Sequence, residues 1–249
     1  MQNLFKGSGY LLKGFKLMNE SGIRRFAYLP MAINTLLFSA AIWLGINKFD
    51  QWFNSLMPSW LPEWLLSFFM WIIWPLFTAL ISIIVFFSFS IIANFLASPF
   101  NGPLSEAVER KLTGQAPEGL PWKQIIKDTP AVLLNELGKI SYFLLWIIPL
   151  FIFSWIPVIN IASPVLWFIF SGWMLALEYH DYPMGNHQIL FAQQRQQHKK
   201  QRGLSLGFGL ATLGITMIPI INFIVIPAAV AGATALYLDN RADHAQSSI

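Results

Sequence analysis

Cysteine is absent from the 249 residues, and charge is scarce, with only 11% of positions occupied by Asp, Glu, Lys or Arg. The first absence excludes disulfides, thiolate metal sites and thiol catalysis. The second sets the chain apart from soluble domains, which carry about 25% charged residues. Catalytic signatures are missing as well: there is no phosphate-binding Walker loop, nucleophile elbow or HExxH pair. ATP hydrolysis and standard hydrolase chemistry therefore have no visible apparatus, and the chain reads as a non-enzyme without cofactor or metal. What is present is apolar: 55% hydrophobic residues, 11 Trp and 22 Phe, and a mean hydropathy of +0.54. These values describe an integral membrane protein, and the long uncharged runs described next make it all-α.

The pattern divides residues 1–249, as a single membrane domain, into an interfacial helix, two spanning helices and two helical hairpins. In residues 1–20, Leu4, Leu11, Phe15 and Met18 share one helical face, opposite Lys6, Lys13 and Lys16, as suits an amphipathic helix at the membrane surface. Gly7, Gly9 and Gly14 weaken it, so it is expected to order against lipid or the rest of the protein. The basic N-terminus lacks a compact apolar core with a cleavage site, so no removable signal peptide is expected. Residues 28–47 give one uncharged crossing of about 20 residues, with Pro30 near its start. Residues 64–99 give the second. Their uncharged run would reach about 50 Å as one straight helix, so either Pro75 divides it or a long helix tilts or protrudes.

The hairpins, 141–177 and 204–238, carry similar tips: Ile156 to Asn160 followed by Pro164, and Ile218 to Asn222 followed by Pro227. Prolines break each run near its middle. The arms, about 12–16 residues, reach roughly 18–24 Å, short of the bilayer core of about 30 Å. They read as re-entrant hairpins, with ordinary transmembrane hairpins as the other reading. Backbone groups freed at tips holding Pro157 and Pro219 need partners at membrane depth, a capping task open to Asn160 and Asn222. With this topology, 15 of the 16 Lys and Arg lie on one face, Lys48 being the exception. The positive-inside rule then makes both termini cytoplasmic. Six full crossings give the same sidedness.

Three polar clusters flank these segments. Ser21-Gly22-Ile23-Arg24-Arg25 precedes the first span. A helix starting here offers backbone amides to an anion, with Ser21 or Asn19 as caps, Gly22 allowing close approach and an arginine fork suited to tetrahedral oxyanions. The plainer reading is two arginines anchoring a helix end. In the second cluster, Asn101 to Lys111, Glu106 and Arg110 stand at ion-pair spacing. They form either a solvated surface or the lining of a vestibule in which an anion competes for the arginine. The third, Glu178 to His187, holds metal-capable side chains in a spacing that matches no zinc site or facial triad. Its Asp181 and Asn186 read as capping the exit from the first hairpin. Basic residues from Arg195 to Arg202 suit anionic lipid better than nucleic acid, because membrane segments adjoin them.

Taken together, Gly22-Ile23-Arg24-Arg25-Phe26, the Ala97–Glu109 segment, the Tyr179–His187 segment and the paired tips resemble the CysZ family of bacterial sulfate permeases over nearly the whole chain. The resemblance implies a multi-pass inner-membrane homo-oligomer with two long spanning helices and two partially inserted hairpins. It implies sulfate uptake for assimilation and cysteine biosynthesis without ATP hydrolysis, with sulfite and related oxyanions as further candidates. It associates the substrate site with Gly22, Ile23 and Arg24, with Arg25 adjacent, and the conduction path with Asn101, Glu106, Glu109 and Arg110. Gly185 stands where an acidic residue is expected. Channel-like passage is the leading reading. The alternatives are proton coupling through Glu106, Glu109 or His180, and a structural or regulatory membrane role.

Overall fold

The computed structural model describes residues 2–56, 62–115 and 122–246, with no strand among them. The helices are α1 (Gln2–Leu17), α2 (Arg24–Leu56), α3 (Glu63–Thr113), α4 (Trp122–Phe153), α5 (Ser163–Asn186), α6 (Phe191–Lys200), α7 (Arg202–Thr216) and α8 (Pro219–Gln246). A 3-10 turn, Ile159–Ala162, precedes α5. The chain forms two compact units, one drawn from Met1–Ala27 and Phe100–Ile249, the other from Tyr28–Pro99.

In the first unit, α1 packs against α7 and α8, and α5 packs against the same two helices. The core of α8 is built from small residues, Ala228, Ala229, Ala231, Ala233 and Ala235, all fully buried. Glycines bring the backbones into contact. A Cβ added at Gly7 would overlap the Leu204 carbonyl, and one at Gly207 would overlap the Leu4 carbonyl, so α1 and α7 meet through a reciprocal pair. Gly14 and Gly232 do the same between α1 and α8, against the carbonyls of Ala228 and Tyr10, while Gly209 meets the Gly172 carbonyl between α7 and α5. Small residues are the expected device where lipid removes the hydrophobic drive for helices to associate.

This packing changes the reading of α1. Its buried stripe is Gly7, Tyr10, Leu11, Gly14 and Leu17, while Phe5 and Leu12 are exposed. Two of the glycines that weaken the isolated helix, Gly7 and Gly14, are part of the surface it presents to α7 and α8, while Gly9 faces open space. Lys13 Nζ lies 2.9 Å from Asp239 Oδ2, and the Tyr10 hydroxyl donates to the same oxygen at 3.0 Å, fixing α1 to the end of α8.

Arg24–Lys48 of α2, most of it in the second unit, is long and apolar enough to cross a membrane. Helix α3 runs unbroken for 51 residues, about 77 Å at 1.5 Å per residue. Of the two readings, a division at Pro75 and one long helix, the structure has the long helix. Proline removes one helical hydrogen bond, and membrane helices accommodate that loss.

The two tips, alike in sequence, differ in shape. The first takes nine residues, 154–162, to turn. Val158 sits there at φ 71°, an uncommon backbone region for a β-branched residue. Ser154 Oγ donates to the Leu150 carbonyl at 2.8 Å and accepts from Trp167 Nε1 at 3.0 Å. The second tip is only Met217 and Ile218, because α8 begins at Pro219 and carries Pro227 inside it. Proline at the first helical position sacrifices an amide that had no helical partner, which makes Pro219 a starter. Neither Asn160 nor Asn222 caps: their backbone amides bond the carbonyls of Ile156 and Ile218, each at 3.0 Å, and their side chains make no hydrogen bond among the described residues. The arms of the first hairpin are also longer than expected, while α7, at 15 residues, matches its expected length. Leu134–Phe153 and Ile159–Asn186 each suffice to cross a membrane by length and composition, so short arms no longer argue for re-entrance of the first hairpin. Beyond Leu177, α5 continues to Asn186 because its charges find partners in the first unit.

Gly207→Ala is expected to destabilise the protein by about 1–3 kcal/mol through overpacking. Gly214→Ala, in the same helix with open space around its Cβ, should be neutral or stabilise by up to about 1 kcal/mol. Thermal unfolding in detergent compares the two, and equal shifts would contradict the glycine-contact account.

Candidate functional site

The last turns of α3 carry Asn101, Ser105 and Glu109 four residues apart, on one helical face. All three are buried, at 6%, 0% and 5% exposure, and each is answered from another helix. Asn101 Nδ2 donates to the Tyr182 hydroxyl at 3.0 Å. Ser105 Oγ shares a 2.9 Å hydrogen bond with Thr234 Oγ1 of α8. His187 Nε2 lies 2.9 and 3.1 Å from the two carboxylate oxygens of Glu109. Between the first and last of these bonds, Asn186 Nδ2 donates to the Gly102 carbonyl at 3.3 Å. The second and third sequence clusters are thus fastened side by side.

Of the four residues expected on a conduction path, Asn101 and Glu109 belong to this polar layer. Glu106 and Arg110 lie on a different face, half-buried and exposed respectively. They form no ion pair among the described residues despite their spacing. The face decides: four-residue steps from Asn101 lead inward, while one residue further on leads toward solvent. Sequence reasoning missed Ser105 and Thr234, although the polar i, i+4, i+8 series was a legible signal.

A second set of bonds ties α4 to α5 and α6. Lys139 Nζ, only 8% exposed as a residue, sits 2.9 Å from Asp181 Oδ2 and 3.0 Å from Glu178 Oε2. Gln194 Nε2 donates to Asp181 Oδ1 at 2.7 Å, and the Phe191 amide donates to Asn135 Oδ1 at 2.7 Å. Asp181 and Asn186 therefore join helices instead of capping the hairpin exit. Beside them, His180 and His198 meet edge to face, with ring centroids 4.7 Å apart. His180 Nδ1 donates to the Ala176 carbonyl at 2.7 Å, and His198 Nδ1 is 2.7 Å from Ser205 Oγ. Burial, and then the neighbouring His180, hold the His198 imidazole well below its ordinary pKa, so it is neutral at pH 7. A cavity of about 510 Å³ opens here, lined among others by His187, Lys200, Tyr237 and Arg241. Among the described residues no three His, Asp or Glu side chains gather as a metal-ligand set.

The first cluster forms the turn between α1 and α2. Gly22 takes φ 90°, a conformation that favours glycine. That turn buries Ile23, at 1% exposure, and leaves Arg24 and Arg25 exposed. Arg25 lies 4.7 Å from the centre of the Phe26 ring. The amides of Ile23 and Arg24 bond the Glu20 carbonyl at 3.1 and 3.0 Å, so neither is free for an anion, and the exposed guanidinium groups are the charged donors of this turn. Asn19 Nδ2 donates back to the Phe15 carbonyl of α1 at 2.7 Å. Glu20 also pairs with Lys111 at 3.1 Å, which ties this turn to the end of α3.

Glu109→Ala removes the buried acceptor of His187 and should destabilise the protein by about 1–3 kcal/mol. Glu106→Ala should stay within about 0.5 kcal/mol. Thermal unfolding of both variants checks the ranking, and equal losses would contradict the placement of Glu109 in the layer.

Comparison with known proteins agrees with these features. The family model described as Sulfate transporter CysZ/Etoposide-induced protein 2.4 matches residues 10–227. A curated relative from Pseudomonas fluorescens (strain Pf0-1), named Sulfate transporter CysZ, is 42% identical over 239 residues, covering 96% of this chain and 95% of the relative. A relative of the same name from Pseudomonas syringae pv. tomato (strain ATCC BAA-871 / DC3000) is 41% identical over 237 residues, covering 94% and 92%. An all-helical membrane chain with these motifs and matches belongs to the sulfate transporter CysZ/etoposide-induced protein 2.4 family.

Proposed function

We propose that this chain passes sulfate through the bacterial inner membrane by a channel-like route, without catalysing a reaction, and supplies sulfate assimilation and cysteine biosynthesis. The names of its curated relatives support the substrate. One observation carries the site: the turn bearing Arg24 and Arg25 is joined through Glu20 and Lys111 to the helix whose inner face holds Asn101, Ser105 and Glu109. Exposed guanidinium forks collect a tetrahedral dianion. Buried Ile23 and the Gly22 turn hold those forks in place. His187 engages the Glu109 carboxylate, which lessens the repulsion an anion would meet near it. Weak, repeated polar contacts suit conduction better than one deep, tight site. The concentration of 15 of 16 cationic residues outside the stretch between the two spans supports cytoplasmic termini. Sulfite and related oxyanions share the charge and shape that these donors read, and assembly as a homo-oligomer completes the proposal.

The experiment is labelled sulfate uptake into liposomes with and without the protein, at matched reconstituted amounts, with Arg24→Ala and Arg25→Ala beside the parent chain. Flux should require the protein and fall roughly tenfold when an arginine is lost, the scale of a charge-assisted hydrogen bond of about 1.5 kcal/mol. Protein-dependent flux that ignores both substitutions would remove the arginines from the site. No protein-dependent flux down a sulfate gradient would overturn the channel-like reading.

A further inference from the structure

A groove of about 670 Å³ runs between α4, α5 and the start of α7. Its walls are apolar and aromatic, with Trp146, Leu150 and Phe153 on α4 and Leu166, Ile169 and Phe170 on α5. From Trp146 to Phe153 the helix rises about 10 Å, enough to hold part of an extended acyl chain. One end of the groove is different. Lys199 and Arg202 line it there, both exposed, and neither forms an ion pair among the described residues. Arg202 Nε is engaged by the Lys199 carbonyl at 3.2 Å, which turns the guanidinium without neutralising it. Among the described residues no carboxylate lines the groove. At the same end, Trp173 Nε1 donates to the Tyr142 hydroxyl at 3.2 Å, and Arg195 stands 5.1 Å from the centre of the Tyr142 ring. Tyr and Trp beside cations, at the border of an apolar surface, mark the depth of lipid head groups.

We propose that this groove binds an anionic phospholipid, with an acyl chain along the α4 and α5 walls and the phosphate at Lys199 and Arg202. Charge complementarity selects this occupant. Two exposed cations with no carboxylate among the described lining residues suit a phosphate head group, and the apolar walls suit its acyl chain. The site is independent of the sulfate path, since none of its lining residues belongs to the polar layer.

The test is native mass spectrometry of the full chain released from vesicles of equimolar phosphatidylglycerol and phosphatidylcholine with identical acyl chains. Phosphatidylglycerol should be retained preferentially. Lys199→Ala combined with Arg202→Ala should bring its retention down toward that of phosphatidylcholine, by roughly fivefold per cation. Leu166→Trp, which fills the groove, should lower retention of both lipids. Arg241→Ala, a cation outside the groove, should leave the preference unchanged, and thermal unfolding confirms that each variant is folded. Equal retention of the two lipids, or a preference that survives the double substitution, would overturn the proposal. Because the chain has no cysteine, Leu150→Cys adds a single reporter. A disulfide-linked dimer through that position, formed as bound lipid is lost, would overturn the proposal in favour of a second copy.

Discussion

Backbone contact at glycine is the constraint on which the first unit depends. At Gly7 with Gly207, and at Gly14 with Gly232, each helix presses a glycine against the other's carbonyl. The chains approach closer than any side chain would allow. That distance lets Tyr10 and Lys13 reach Asp239. It also seats Phe208, fully buried, against His180 with ring centroids 5.2 Å apart. A dry, close interface between α1, α5, α7 and α8 forms the frame against which the polar groups of α3 and α5 are held.

Given that frame, the polar layer follows from the cost of leaving a buried group unpaired, about 1–3 kcal/mol for a neutral donor or acceptor and more for a charge. Asn101, Ser105 and Glu109 cannot be withdrawn from water one at a time without partners, and Tyr182, Thr234 and His187 are those partners. The result joins the end of α3 to α5 and α8. Glu20 and Lys111 extend the connection to the turn that displays Arg24 and Arg25. The exposed turn proposed to collect oxyanions and the buried polar layer are thus parts of one bonded assembly, which is the physical content of the proposed sulfate path.

Much of this was legible beforehand, for identifiable reasons. Long apolar runs marked an all-α membrane protein, because bilayer thickness imposes itself on composition, and α2, α4 and α5 hold segments long and apolar enough to cross one. Gly22 was read as leaving room for a ligand, whereas its φ of 90° shows glycine serving a backbone conformation there. Spacing along a single helix was less informative. Glu106 and Arg110 have ion-pair spacing but occupy a face that reaches solvent, while Glu109, one position earlier than Arg110, faces His187 78 residues away. The tips misled because proline has two structural meanings: Pro157 falls in a turn, whereas Pro219 starts a helix and Pro227 rides within it. The glycines of α1 looked like weaknesses because their partners, Leu204 and Ala228, are visible only once the helices are assembled.

The central claim, passive conduction of sulfate, is tested most directly by the reversal potential of current across a planar bilayer containing the purified protein, with a sulfate gradient imposed. The account predicts reversal at the sulfate equilibrium potential, unmoved when a pH difference is added. A reversal potential that follows the pH difference would contradict channel-like passage and point to movement of sulfate together with protons.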